Sequence, residues 1–297
     1  MIGGIVENQN IIIIFINGIL GLSATLTNAL FILAILKTPT LHTPSNVLLC
    51  FLAFSDFGVG FVVQPLSIAA TIVSNNYGHQ QLLKICAESA SVLLYGASML
   101  TMTAIAVDRY LALLLHLRYR TIVTVPRTLK LKVLLWFIAL CVYFFRYLVD
   151  QKARYISIIT FILVLLFASS YCYIQILRIV QRHRRQILDQ TLSITRQFSS
   201  SCVPTVGQGK SITTMYYIHG LFVVCVVPYI VGIFLLLKFG QSRSVIIYRY
   251  VAWTVLTMNS VLNPFLYCWR IQGIKIAIKT LLKSFIDKSR LNRVGIV

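Results

Sequence analysis

The sequence predicts an all-α membrane protein, a bundle of seven membrane-spanning helices with a short amphipathic helix after the last. Three observations predict it. The 297 residues are 58% hydrophobic and only 11% charged, with a mean hydropathy of +0.83, which is too apolar for a soluble domain. The apolar residues fall into seven segments, near 10–36, 46–73, 85–115, 131–149, 155–181, 213–237 and 246–269. Each is long enough to cross a hydrocarbon core about 30 Å thick. Finally, the net charge of +20 is concentrated in alternate loops, around Arg118, Arg120 and Arg127, then Arg182, Arg184 and Arg185, and after Arg270. That placement argues against nucleic acid as the partner. By the positive-inside rule it puts the N-terminus outside and the C-terminus in the cytosol.

The expected organisation is a short extracellular N-terminus (1–9), the bundle (10–269), with a flexible inner loop at about 182–211, and a surface helix with a cytoplasmic tail (270–297). The first apolar run lacks a basic leader and is expected to act as its own insertion signal. Thr38-Pro39-Thr40-Leu41-His42-Thr43-Pro44 breaks the chain after span one. Span two buries Asp56, which must face the bundle interior and find a cation, a proton or polar partners. Pro65, further along, is expected to kink that helix. Span three carries Lys84, Glu88, Ser91 and Ser98 and ends in Asp108-Arg109-Tyr110. An arginine at the membrane edge costs roughly 2.5–3.5 kcal/mol on insertion scales, so Arg109 needs a partner, and Asp108 is adjacent. Lys84 and Glu88, four apart, are expected to pair along one helix face.

The second outer connection, Asp150 to Arg154, is short and has no cysteine. The stretch 186–211, rich in Ser, Thr and Gln with Pro204, Gly207 and Gly209, reads as a flexible loop. Pro228 interrupts span six, and span seven holds Asn259, Asn263 and Pro264. After Arg270, Lys275, Lys279 and Lys283 share one stripe, while Ile274, Ile278, Leu281, Leu282 and Phe285 form an apolar face. That pattern fits a helix lying on an anionic leaflet. The seven cysteines have no metal-ligand spacing, and the histidines are scattered, so no enzyme constellation is expected.

Asp108-Arg109-Tyr110 closing span three and Asn263-Pro264-Phe265-Leu266-Tyr267 closing span seven, with Asn28, Asp56, Trp136 and Pro228 in register, resemble the rhodopsin-like (class A) G-protein-coupled receptors. The resemblance implies an extracellular ligand, a heterotrimeric G protein as the inner partner, a plasma-membrane location, and arrestin and a receptor kinase as further partners. It implies that Asp108 holds Arg109 at rest and that Tyr173 and Tyr267 close around it when span six swings out. It also implies a sodium pocket from Asn28, Asp56, Ser98, Asn259 and Asn263. A buried carboxylate with hydroxyl and amide oxygens is a hard-cation site, although a plain hydrogen-bond network around a protonated Asp56 remains an alternative.

The departures from that pattern concern the ligand. Val226 stands where most relatives carry a tryptophan, leaving Phe222 to supply the packing, and Leu165 replaces a proline. Cys86 has no second-loop partner, though Cys141 lies in the outer half of span four. The short loop and the missing proline resemble the melanocortin-like branch in part. That branch carries several outer acids; here Glu88 matches one, with Leu66 and Lys84 at the others. Ser91 replaces the aspartate of amine receptors, and Thr257 replaces the retinal lysine of opsins, so no amine counter-ion and no retinal are expected. Glu88, Ser91, Val226 and Thr257 are the candidate ligand contacts; no cofactor is required. A secondary transporter using Asp56, or a receptor fold without signalling, are the rival readings.

Overall fold

The computed structural model describes residues 2–73, 77–197 and 209–294, with side chains for most of these. Among the described residues all regular structure is helical. Seven helices are long and apolar enough to cross a membrane: Ile11–Lys37, Pro44–Ile72, Gly78–Leu115, Val125–Leu148, Gln151–His183, His219–Phe239 and Arg243–Trp269, spans one to seven. Their outward faces carry large apolar side chains such as Phe15, Phe137, Phe167 and Phe234, each more than half exposed, which suits lipid and not water. Span three packs against spans two, four and five, while span seven packs against one and six. The bundle has two ends, the Glu88 end and the Arg109 end, at opposite ends of span three.

Several boundaries differ from expectation for local reasons. The first helix already starts at Ile2, where a short tail was expected. Span five's helix continues to Gln197, into the stretch expected to be a loop. Gln186 to Gln197 contains neither glycine nor proline, so nothing there stops a helix already nucleated in the membrane. The rest of that loop, 198–208, and the last residues, 295–297, lie outside the described residues. The final helix, Gln272–Val294, buries Ile274, Ala277 and Leu281 against spans one and seven and leaves Lys275, Lys279 and Lys283 exposed. Leu282 is exposed, and the side chain of Phe285 is not described.

Span two takes up its proline through a π-helical turn, Val59–Val63, directly before Pro65. Pro65 has no N–H to give the preceding turn, and the wider turn lets the helix continue past it. The same turn brings spans one and two together. A Cβ on Gly60 would lie 2.6 Å from the Gly21 carbonyl oxygen and 2.8 Å from the Thr25 nitrogen. Both are backbone atoms of a helix, which cannot yield as a side chain does. At the far end of span six, Gly240 adopts φ +67° and its N–H caps the Leu236 carbonyl at 2.9 Å.

Gly60→Ala is therefore expected to destabilise the bundle by about 1–3 kcal/mol through overpacking. Gly220→Ala, where a Cβ meets nothing within 4 Å, is expected to be neutral or slightly stabilising. Thermal midpoints of the purified proteins check both, and equal midpoints for Gly60→Ala and the parent would contradict the close approach.

Candidate functional site

Asp56 lies at the centre of the bundle with no exposed surface. Its carboxylate joins three spans. Ser98 Oγ and Ser260 Oγ donate to Oδ1 at 3.2 and 2.9 Å, and Asn263 Nδ2 donates to Oδ2 at 2.8 Å. Asn28 Nδ2 donates to the Ser260 carbonyl at 3.0 Å and so ties span one to the same point. These donors use the amide nitrogens and leave oxygens over. The Oδ1 atoms of Asn28, Asn259 and Asn263 are buried and accept no hydrogen bond within the protein. Such oxygens are hard ligands, and a buried acceptor left without a partner costs about 1–3 kcal/mol. Hence the residues present fit a small hard cation. Among the described residues no cluster of three or more His, Cys, Asp or Glu side chains forms another metal site.

A cation not singled out from the sequence stands nearby. Lys132, in span four, is 2% exposed, donates to Thr101 Oγ1 at 2.5 Å, and lies 5.2 Å from the Phe51 ring centre and 5.7 Å from that of Trp136. Its ammonium thus has one hydroxyl and two aromatic faces, and it attracts Asp56 at longer range. The signal was in the sequence. Thr128, Lys132, Leu135, Ala139 and Arg146 are the buried residues of this span, at helical spacing. The position of Lys132 close to the start of span four makes it look like one more charge at the membrane edge.

At the Arg109 end, Asp108 is 6% exposed. It accepts from Ser45 Oγ at 2.8 Å and from Tyr119 Oη at 2.6 Å, while Arg109 approaches it at 3.6 Å. Tyr119 sits outside the spans, in the short helix Tyr119–Ile122. Burial, and next the bond to the Asp108 carboxylate, push its phenol above the ordinary value, so it stays a donor. Tyr110 is half-buried beside this group. Tyr173 and Tyr267 are both buried: Tyr173 stacks on His219 of span six at 4.5 Å, and Tyr267 packs on Phe31 at 5.5 Å. The Tyr267 hydroxyl is buried without a hydrogen-bond partner. Pro264 lies within a helix that remains continuous through it.

At the Glu88 end a cavity of about 480 Å³ is bordered by side chains from all seven spans. Glu88 and Ser91 line it, but Ser91 commits its hydroxyl to the Ala87 carbonyl of its own helix. Thr257 lies just beneath, accepting from Gln64 Nε2 at 2.7 Å and meeting Tyr95 Oη at 3.0 Å. Val226 has no exposed surface and belongs to the apolar core with Phe222. Glu88 forms its ion pair with Arg146 of span four at 3.2 Å, not with Lys84. Besides Arg146, the sequence reading missed Gln64, Tyr95, Tyr229 and Trp253, all lining the cavity. Trp253 meets Tyr95 edge-on at 5.4 Å and Tyr229 at 6.1 Å. Cys86 and Cys141 are both free and exposed.

The family described as 7 transmembrane receptor (rhodopsin family) matches residues 27–155 and 148–267. Among curated proteins, the chain is 28% identical over 262 residues to melanocortin receptor 3 of Homo sapiens, covering 84% of this chain and 79% of the relative. It is 27% identical over 274 residues to melanocortin receptor 3 of Rattus norvegicus, covering 89% and 83%. These matches bear out the resemblance read from the motifs, including its lean toward the melanocortin-like branch.

The Asp108 geometry makes a separable prediction. Ser45→Ala and Tyr119→Phe each remove one donor from a nearly buried carboxylate and should each lower stability by about 1.5–3 kcal/mol. Because they share that acceptor, the double variant should depart from additivity by more than about 0.5 kcal/mol. Strictly additive thermal shifts would show that the two bonds are independent.

Proposed function

The chain belongs to the rhodopsin family of seven-transmembrane receptors and is a G-protein-coupled receptor, and we propose that it relays ligand occupancy of the Glu88-end cavity to a heterotrimeric G protein docked at the Arg109 end. The observation that carries this reading is a continuous polar path along span seven. Thr257, Ser260, Asn263 and Tyr267 follow one another at helical spacing. Thr257 bonds the cavity floor, Ser260 and Asn263 bond Asp56, and Tyr267 is buried among the residues beyond. A ligand that shifts the floor therefore acts on groups whose bonds cannot be given up singly in a membrane interior. In this reading the N-terminus and the cavity face outward at the plasma membrane, supported by the basic residues gathered at the Arg109 end. Arrestin and a receptor kinase would meet that same basic end.

Arg109 is the residue through which the G protein would be engaged. Its pairing with Asp108 is long, at 3.6 Å, and its Nε is buried without a partner, so the guanidinium is held but not saturated. Arg109→Ala is expected to reduce nucleotide exchange on a panel of G proteins to the receptor-free level while preserving expression. Equal exchange by variant and parent would overturn the mechanism. Failure of the parent itself on every G protein tested would favour a receptor fold without signalling.

For the cation pocket we propose that Asp56, Ser98 and the amide oxygens of Asn28, Asn259 and Asn263 hold sodium, which would offset the carboxylate's desolvation and supply no chemistry beyond charge. Support comes from the buried, unpartnered oxygens of Asn28, Asn259 and Asn263, the last of which bonds Asp56 through its amide nitrogen. By linkage, sodium should change agonist affinity by about 5 to 150-fold, as for couplings of 1–3 kcal/mol. Asp56→Asn should remove that dependence. Agonist affinity of the parent that ignores sodium at constant ionic strength would leave the cluster a plain hydrogen-bond network.

A further inference from the structure

The charges around the Glu88-end cavity are unequal. Lys84, Arg146, Arg154 and Arg249 line it, with Glu88 as the one carboxylate among the lining residues. Glu88 is engaged by Arg146, which donates to it at 3.2 Å through Nη2 and to its carbonyl at 3.3 Å through Nη1. One acid thus offsets one of four cations. Arg146 is 8% exposed, and its Nε is buried with no hydrogen-bond partner; the Nε of Arg154 is likewise buried and unpartnered. Two guanidiniums from spans four and five therefore border the same cavity with their hydrogen-bonding capacity not fully used, and the planar fork of a guanidinium suits a carboxylate or phosphate.

Below the charged rim the walls change character. Met99, Phe161, Ile162 and Leu256 face the cavity, and Tyr95, Tyr229 and Trp253 close its aromatic side. At the floor, the Oδ1 of Asn17 and the Oε1 of Gln64 are buried acceptors without partners. The volume of about 480 Å³ is that of a small-molecule site. A cleft lined by one sign of charge between low-dielectric walls concentrates counter-ions and rejects like charges. It repels a basic ligand, for which Glu88 alone would be the partner, already claimed by Arg146.

We propose that this cavity takes an anionic amphiphile, with a carboxylate or phosphate head held by Arg146, Arg154 and Arg249 and an apolar body running down toward Trp253 and Leu256. This rests on the receptor reading only for its consequence, since binding itself needs no G protein.

The test measures binding to the purified full-length receptor in neutral-lipid nanodiscs, by competition and by thermal shift. Four probes share one tail: oleate, oleoyl lysophosphatidate, N-oleoylethanolamine and oleylamine. Oleate and lysophosphatidate distinguish a carboxylate from a phosphate head. The expected result is saturable binding of at least one anionic probe, about tenfold or more tighter than either uncharged or cationic probe. The double substitution Arg154→Ala with Arg249→Ala should weaken it about tenfold while leaving the apo thermal midpoint close to the parent's, since neither residue is fully buried. Arg249→Glu should narrow or reverse the preference toward oleylamine, and it guards against a fold defect in the double variant. Equal affinity for the four probes, or anion binding that both variants retain in full, would overturn the proposal. Anion binding without any effect on nucleotide exchange would instead count against the relay and leave the pocket assignment standing. Arg109-dependent basal exchange with no anion binding would do the reverse.

Discussion

The bundle depends on keeping one carboxylate in the middle of a membrane. Asp56 has no exposed surface, and moving such an ion out of water costs several kcal/mol even after relaxation. Three donors from spans three and seven converge on it, and Asn28 braces one of them from span one. Four of the seven spans are thereby held at one point by bonds that lipid cannot replace. Apolar packing alone would not do this, because lipid tails are as apolar as the side chains they would displace. Above and below that point the packing is ordinary: leucines and alanines of spans one, two and three fill the core.

Span four contributes the complementary sign. Its inward face places Lys132 near the middle of the bundle and Arg146 at the Glu88 end, both less than a tenth exposed. They are accommodated differently. Lys132 meets a hydroxyl and two aromatic faces, whereas Arg146 meets Glu88 and keeps an unused donor. A lysine ammonium is compact enough to be saturated by such a cage, while a guanidinium with its planar fork is not. This is why the first reads as a structural cation and the second as part of a binding surface.

The fold class was legible because lipid imposes long apolar runs, and Asp108, Arg109, Asn263 and Tyr267 were legible because short motifs sat at the ends of those runs. Asp56 was legible by its cost alone. Helix ends were less so: the polar run to Gln197 is helical, since a helix already begun needs only permissive residues to continue. The partner of Glu88 was misjudged because four-residue spacing offered Lys84, and spacing within one helix says nothing about a neighbouring one. Arg146 and Arg249 lie near the ends of their spans in the sequence, and only the packing of seven spans shows that they border one cavity. Tyr119 was hidden for the same reason, lying eleven residues beyond the Asp108 it bonds.

The missing span-six tryptophan has a structural counterpart. Val226 and Phe222 are sealed in the core and do not reach the cavity. The indole at the cavity comes instead from Trp253 of span seven, set between Tyr95 of span three and Tyr229 of span six. Tyr95 in turn meets Thr257, one turn along from Trp253, whose carbonyl accepts the Thr257 hydroxyl at 3.1 Å. The aromatic group under the ligand space is therefore built into the same helix that carries Ser260 and Asn263 to Asp56. A rotation of span seven that displaced Trp253 would move those donors with it, because a helix turns as a unit. Span six then enters through Tyr229 near the cavity and through His219 stacked on Tyr173 near the Arg109 end. In this chain span seven carries polar contacts at both the cavity floor and Asp56, and span six is packed against it at one end and against span five at the other.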